Sequence, residues 1–396
     1  MDRLRQWFYA NIQRVDTSFK RYLWNEINWN SRLIIITGAR GVGKTTILLQ
    51  YIKANLPVNE ETLYVSLDDI YFSKNSLIDF AEEFIREGGK YLFIDEAQKY
   101  PGWSKEIKNI YDNYPDLQLV VSGSSSIELL KSEGDLSRRA LYYNLNGMSF
   151  REYLNFEYNH DLVAYKLDDL LTQSLKISQV VNEQTKIFPA FNDYLKYGYY
   201  PFYKEDKDSF HKRLQQVINT VLELDIRDNF QVDANATHLI KKLMAEIASM
   251  VPFKPNIKKL SEKIGITRDT LVKYLQLLDK ADLISLVYSQ ARGVSILNKP
   301  EKILLNNSNL AYALNDQINK GSLKESYFVN QLKLKHKIRY AEAGDFIVDD
   351  IITFEVGGKN KTKKQIANIE NAWIAADDME YAIGNKIPLW LFGFTY

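Results

Sequence analysis

Leu33-Ile34-Ile35-Ile36-Thr37-Gly38-Ala39-Arg40-Gly41-Val42-Gly43-Lys44-Thr45-Thr46 is the stretch that decides the fold. An unbroken apolar run ends in the pattern G-x-x-x-x-G-K-T. Thr46-Ile47-Leu48-Leu49-Gln50-Tyr51 then opens a helix. A strand, a glycine-rich loop and a helix in this order make a phosphate-binding loop. The glycines let the backbone of Gly38, Ala39, Arg40, Gly41, Val42 and Gly43 turn so that successive N–H groups face one anion. Lys44 then reaches β- and γ-phosphates as a point charge, and the Thr45 hydroxyl ligates Mg²⁺.

Working outward, Leu63–Leu67, Tyr91–Asp95 and Leu117–Ser122 repeat the apolar style of Leu33–Thr37. Between them Leu77, Phe80, Ala81, Phe84 and Ile85 recur on one helical face. Strands alternating with helices imply βαβ units, and runs apolar at every position imply strands covered on both faces. The first segment is therefore an α/β domain on a parallel sheet. Asp95 closes the Tyr91–Asp95 strand where a Mg²⁺-holding acid stands in P-loop enzymes, and Glu96 follows it to orient or deprotonate water. The Ser122–Ser126 strand end reads either as a γ-phosphate sensor or as a Ser-rich turn capping the next helix. Arg138-Arg139 supplies a guanidinium for phosphoryl charge, or else a surface arginine.

The chain has 396 residues, 45% apolar and 26% charged, which is ordinary for a soluble protein of two to four domains. It has no cysteine, which excludes disulfides, thiolate zinc sites and a thiol nucleophile. The four histidines, at 160, 211, 238 and 336, are too scattered for a metal-ligand pair at helical spacing. No run approaches the ~20 apolar residues of a membrane helix, and the opening MDRLRQWFYANIQR lacks a signal-peptide core. The expectation is a cytoplasmic protein with no membrane partner.

The GARGVGKTT loop, the FIDEAQKYPGW segment, the VVSGSSS strand end and RRALYYNLNGMSFREYL together resemble the prokaryotic AAA-superfamily ATPases that end in the domain of unknown function 4143. The YLKYGYYPFY turn and the LELDIRD helix continue the resemblance. It implies ATP rather than GTP, with Lys44, Thr45, Asp95 and Glu96 in the roles above. It also makes Ser124 a candidate sensor and prefers Arg139 to Arg138, although the family usually shows Gly-Arg where this chain has Arg-Arg.

The pattern divides the chain into four segments: a P-loop domain over 1–150, an aromatic-rich helical lid over 151–236, a winged helix over 237–298 and a small α/β tail over 299–396. In the third, Asn256 caps a helix through Ile264, Gly265 turns the chain, and Thr267 caps Arg268–Lys280. Leu271, Leu275 and Leu278 form its buried face, leaving Arg268, Thr270 and Lys273 for double-stranded DNA. Leu283–Tyr288 and Val294–Leu297 are the expected wing. Whole-chain charge is only +1, from 51 basic and 50 acidic residues, yet residues 237–298 carry ten basic and five acidic ones, a local excess of +5. Such an excess suits a nucleic-acid backbone. The same helices could instead serve protein contacts.

In the tail, Glu325 on a helix and Asp345 and Glu355 on strands repeat the carboxylate order of restriction-type nucleases. The resemblance extends to that fold. The lysine that should stand two residues after Glu355 is displaced to Lys359, so a nuclease-like fold with lost or altered activity is expected. Three functions are in play: an ATP-hydrolysing, DNA-associated protein, a slow nucleotide-gated interaction switch, and an active metal-dependent nuclease.

Overall fold

The computed structural model describes residues 1–123, 136–227, 232–250, 254–289, 299–315, 319–361 and 366–396. The chain forms two compact units, Met1–Gly147 and Met148–Tyr396. Ser124 and the expected strand Val294–Leu297 lie outside the described residues.

The first unit opens on helix α1 (Asp2–Arg14), whose Leu4, Phe8 and Ile12 share its buried face at helical spacing. Strand β1 (Leu33–Thr37) runs into the glycine loop and α2 (Lys44–Asn55). Then follow β2 (Thr62–Ser66), α3 (Leu77–Arg86), β3 (Tyr91–Asp95), α4 (Trp103–Asn113), β4 (Gln118–Ser122) and β5 (Leu141–Asn144). The sheet order is β2-β3-β4-β1-β5 and every pairing is parallel. Leu33 to Ile36 and Leu92 to Ile94 are wholly buried, as sheet residues covered on both faces must be. Because the strands run parallel, their C-terminal ends share one edge. Gly38, Asp95 and Ser122 therefore meet there, where open α/β sheets place their ligands.

The second unit begins with α5 (Phe150–Tyr158), closed by a capping box between Ser149 and Glu152. Its Phe150 and Tyr153 pack edge-to-face on Tyr194, and Phe150 also meets Trp390 and Phe394. The expected lid and tail thus share one aromatic core. Further helices are α6 (Ala234–Met250), α7 (Ile257–Ile264) and α8 (Arg268–Lys280). Asn256 caps α7 through the Lys259 N–H, Gly265 ends it in left-handed backbone at φ 87°, and Thr267 caps α8.

Strand β6 (Ile284–Val287) pairs antiparallel with β7 (Lys302–Leu305), so its partner lies beyond the 298 boundary expected from sequence. Helix α9 (Lys320–Leu332) follows. A mixed sheet then combines β8 (Ile338–Tyr340), β9 (Phe346–Val348), β10 (Ile352–Gly358), β11 (Ala372–Asp377) and β12 (Lys386–Pro388) in the order β12-β11-β10-β9-β8. Strands β8, β9 and β10 run antiparallel as a meander, whereas β11 and β12 join parallel to β10. Among the described residues no helix is long and apolar enough to cross a membrane.

Candidate functional site

The phosphate loop owes its shape to one close approach and one cap. At Gly38, φ 148°, a Cβ would lie 2.2 Å from the Leu145 carbonyl oxygen, so no side chain fits. Gly43 takes φ 100° at the N-cap of α2, which L-residues avoid. Beneath the loop the buried Arg21 guanidinium donates to the carbonyls of Val42 (2.5 Å) and Asn146 (2.7 Å). Lys44, only 5% exposed, folds across the loop and donates from Nζ to the Gly38 and Ala39 carbonyls at 2.8 and 2.9 Å.

Asp95 is 2% exposed at the end of β3. The Thr45 hydroxyl donates to its Oδ2 at 2.5 Å and the Tyr64 hydroxyl to the same oxygen at 2.7 Å. The Ser122 hydroxyl and, at 2.9 Å, the Glu96 backbone N–H donate to Oδ1. All four donors are neutral, so they hold the carboxylate in place without cancelling its charge. Burial and the neighbouring Asp95 push the Tyr64 phenol far above its ordinary value, which keeps it a donor. Its ring stacks on Trp7 of α1 at 5.6 Å. Glu96 adopts left-handed backbone at φ 54°, and its Oε2 accepts from Gln98 Nε2 at 2.6 Å.

Lys44, Thr45, Asp95 and Glu96 thus stand around one loop. Arg139 is held elsewhere, in a two-pronged ion pair with Asp112 of α4 at 2.8 and 3.0 Å. Arg21 and Tyr64 were not anticipated. Arg21 lies in a segment without pattern, and Tyr64 reads as one more apolar residue of β2.

In the second unit three carboxylates from the expected positions converge, each on a lysine or an amide. Lys302 Nζ, from β7, donates to Glu325 Oε2 at 2.7 Å and to Asp345 Oδ1 at 2.9 Å. Lys361 Nζ meets Glu355 Oε1 at 2.6 Å, and the Val356 N–H donates to Asp345 Oδ2 at 2.9 Å. Burial disfavours the Lys302 cation, yet Glu325 and Asp345 outweigh it and raise its pKa. Burial raises Glu325 as well, in spite of Lys302. Lys359, expected at this cluster, is exposed, and its backbone carbonyl accepts from Lys386. Lys361 has its place because β10 runs through Gly357 and Gly358 before the chain turns, and the side chain three residues after Gly358 folds back over Gly357. Among the described residues no three carboxylates or imidazoles are placed to hold one metal ion.

On α8, Arg268 and Lys273 are exposed, whereas Thr270 is half-buried and its hydroxyl pairs with that of Thr267 at 2.8 Å. Thr270 is therefore occupied in the helix cap.

Residues 30–154 match the model of the AAA domain. Residues 189–321 match the domain of unknown function 8612, in place of the domain 4143 that the sequence resemblance names. An uncharacterized protein of Methanocaldococcus jannaschii is 28% identical over 295 residues, covering 70% of this chain, and the chain spans 61% of that relative's length. Among solved structures, AMPPCP-bound DnaA from Aquifex aeolicus is similar at 14% identity and a TM-score of 0.27, over 70% of this chain and 88% of that one. PCH-2 of C. elegans is similar at 14% identity and a TM-score of 0.25, over 44% and 48%. Likenesses this distant carry no functional argument. The five-stranded parallel sheet and its glycine loop fit a P-loop domain, and residues 30–154 match the AAA domain within it.

Proposed function

We propose that the first unit binds ATP with Mg²⁺ and hydrolyses it, and that the second unit associates with duplex DNA. The observation that carries the first half is the Thr45–Asp95 contact beneath the glycine loop with Glu96 beside it. The loop amides cradle the phosphates. Lys44 exchanges its two carbonyl partners for the β- and γ-phosphates, a stronger charge-assisted contact. Thr45 and Asp95 are the residues that would hold Mg²⁺, which when bound neutralises charge on the phosphates. Glu96 takes a proton from the attacking water or orients it. Ser124 is the proposed γ-phosphate sensor. Arg139 serves as charge stabiliser only on release from Asp112.

The test is Glu96→Gln. Hydrolysis should fall by about 10²–10⁴-fold while a fluorescent ATP analogue still binds. Hydrolysis at the wild-type rate would remove the base from the mechanism.

The local charge of residues 237–298 and the exposed Arg268 support the DNA half. Cleavage of that DNA is not part of the proposal. Glu325 and Asp345 already share the Lys302 ammonium, and Glu355 has Lys361, so two resident ammoniums already occupy the three carboxylates.

A further inference from the structure

The surface expected to meet DNA was the outer face of α8. The side chains there do not work together. Arg268 and Lys273 are five residues apart, which at 3.6 residues per turn sets them about 140° apart around the axis. Thr270 between them is taken by the cap. Arg268 has different company. A groove of about 440 Å³ is lined by Lys254, Pro255, Asn256, Ile257, Lys258, Arg268 and Lys299. Four of its seven residues are cations and none is an acid.

Charge compensation around this groove is thin. Lys254 meets Glu301 at 3.5 Å with its side chain two-thirds exposed, and Lys258 meets Glu262 at 4.0 Å in an exposed pair. Exposed pairs at such distances are worth little and are screened by salt. Arg268 and Lys299 make no ion pair with any described residue. The carboxylate cluster of the same unit draws its lysines to 2.6–2.9 Å, so the contrast is not one of cation supply. The floor is apolar, with Pro255 and Ile257 buried beneath the charged rim. Cations around an apolar floor match the two surfaces of a nucleic-acid backbone, phosphate and deoxyribose.

We propose that this groove seats consecutive backbone phosphates of duplex DNA, with Arg268 and Lys299 as the principal contacts and Lys254 and Lys258 flanking them. The inference rests on the DNA reading above and gives it a location. Arg268 donates in a fork to one phosphate, as a planar guanidinium can and an ammonium cannot. The contacts are to backbone, so binding here positions the protein without reading sequence.

The experiment is a fluorescence-anisotropy titration of the full chain with a labelled duplex of about 20 base pairs, two helical turns, at several salt concentrations. Wild type, Arg268→Ala/Lys299→Ala, Arg268→Lys/Lys299→Arg and Lys273→Ala are compared. The double alanine variant should lose about tenfold or more in affinity, and its salt slope should flatten by about two. The charge-preserving variant should retain the slope, and Lys273→Ala should match wild type. If the wild type binds no duplex at low salt, the DNA reading fails and the groove with it. If the wild type binds and only Lys273→Ala weakens it, DNA association stands and the groove is overturned. Inorganic phosphate or tripolyphosphate displacing the duplex at micromolar concentration would also overturn it, by marking a small-anion site.

Discussion

Asp95 in the first unit and Glu355 in the second are sealed from solvent alike, at 2% and 1% exposure, yet they are held by opposite means. Three hydroxyls and a main-chain amide surround Asp95, all of them neutral. Glu355 faces the Lys361 ammonium, and its neighbours Glu325 and Asp345 share that of Lys302. Neutral donors fix a carboxylate and leave its charge for something that arrives later. Lysines fix it and use the charge up. Carboxylates alone therefore do not mark a cation site; the charge on their donors decides.

The largest effect should come from taking a lysine away. Lys302→Met leaves Glu325 and Asp345 facing one another with no cation between them. It should destabilise the second unit by about 3–5 kcal/mol in urea unfolding. Adding Glu325→Gln and Asp345→Asn should recover most of that loss; a triple variant as unstable as the single would mean that Lys302 acts through packing. The reverse holds at the other site. Asp95→Asn should lower ATP hydrolysis by about 10²–10³-fold, while the first unit loses no more stability in urea unfolding than the two hydrogen bonds to the replaced oxygen are worth, about 2 kcal/mol. Equal losses of stability at the two sites would break the comparison.

A third carboxylate sharpens it. Burial pushes Asp279 of α8 up to about 6, with Lys333 and the Leu286 N–H opposing. The folded chain then holds this proton more tightly than the unfolded chain, whose aspartate titrates near 3.8. Stability from this group is gained as pH falls from about 6 toward 4 and lost as pH rises through 6. Asp279→Asn should raise stability above pH 6 by up to about 3 kcal/mol and abolish that pH dependence. Parallel pH profiles of variant and wild type would refute it. The smallest effect belongs to Tyr64→Phe, which removes one of four donors to Asp95. It should cost about 1 kcal/mol of stability and weaken the Mg²⁺ dependence of hydrolysis severalfold.

The first unit was the more legible in sequence because its signals are local. β1 and β3 begin and end where the apolar runs do, β4 starts one residue later than its run, and β2 is shifted one residue toward the N-terminus at both ends. The caps at Asn256 and Thr267 bound α7 and α8 for the same reason. β5 left no signal: its residues are exposed or half-buried, so no apolar run announces it. The lysines of the carboxylate cluster were illegible because their positions are tertiary. Lys302 reaches Glu325 across 23 residues and Asp345 across 43. Lys361 reaches Glu355 because the chain turns after Gly358 and its side chain folds back over Gly357, and a spacing rule naturally stopped at Lys359. Arg139 shows the limit from the other side: the sequence supplied a guanidinium, but Asp112 holds it.

Glu96 carries one more consequence. Its φ of 54° lies where a side chain is disfavoured by about 1 kcal/mol and glycine is at ease. A first unit tuned for durability alone would have glycine here. The Glu96→Gly variant should then fold at least as well as the wild type and lose hydrolysis at least as far as Glu96→Gln does. On the proposed role of Glu96, robustness and turnover pull this one residue in opposite directions.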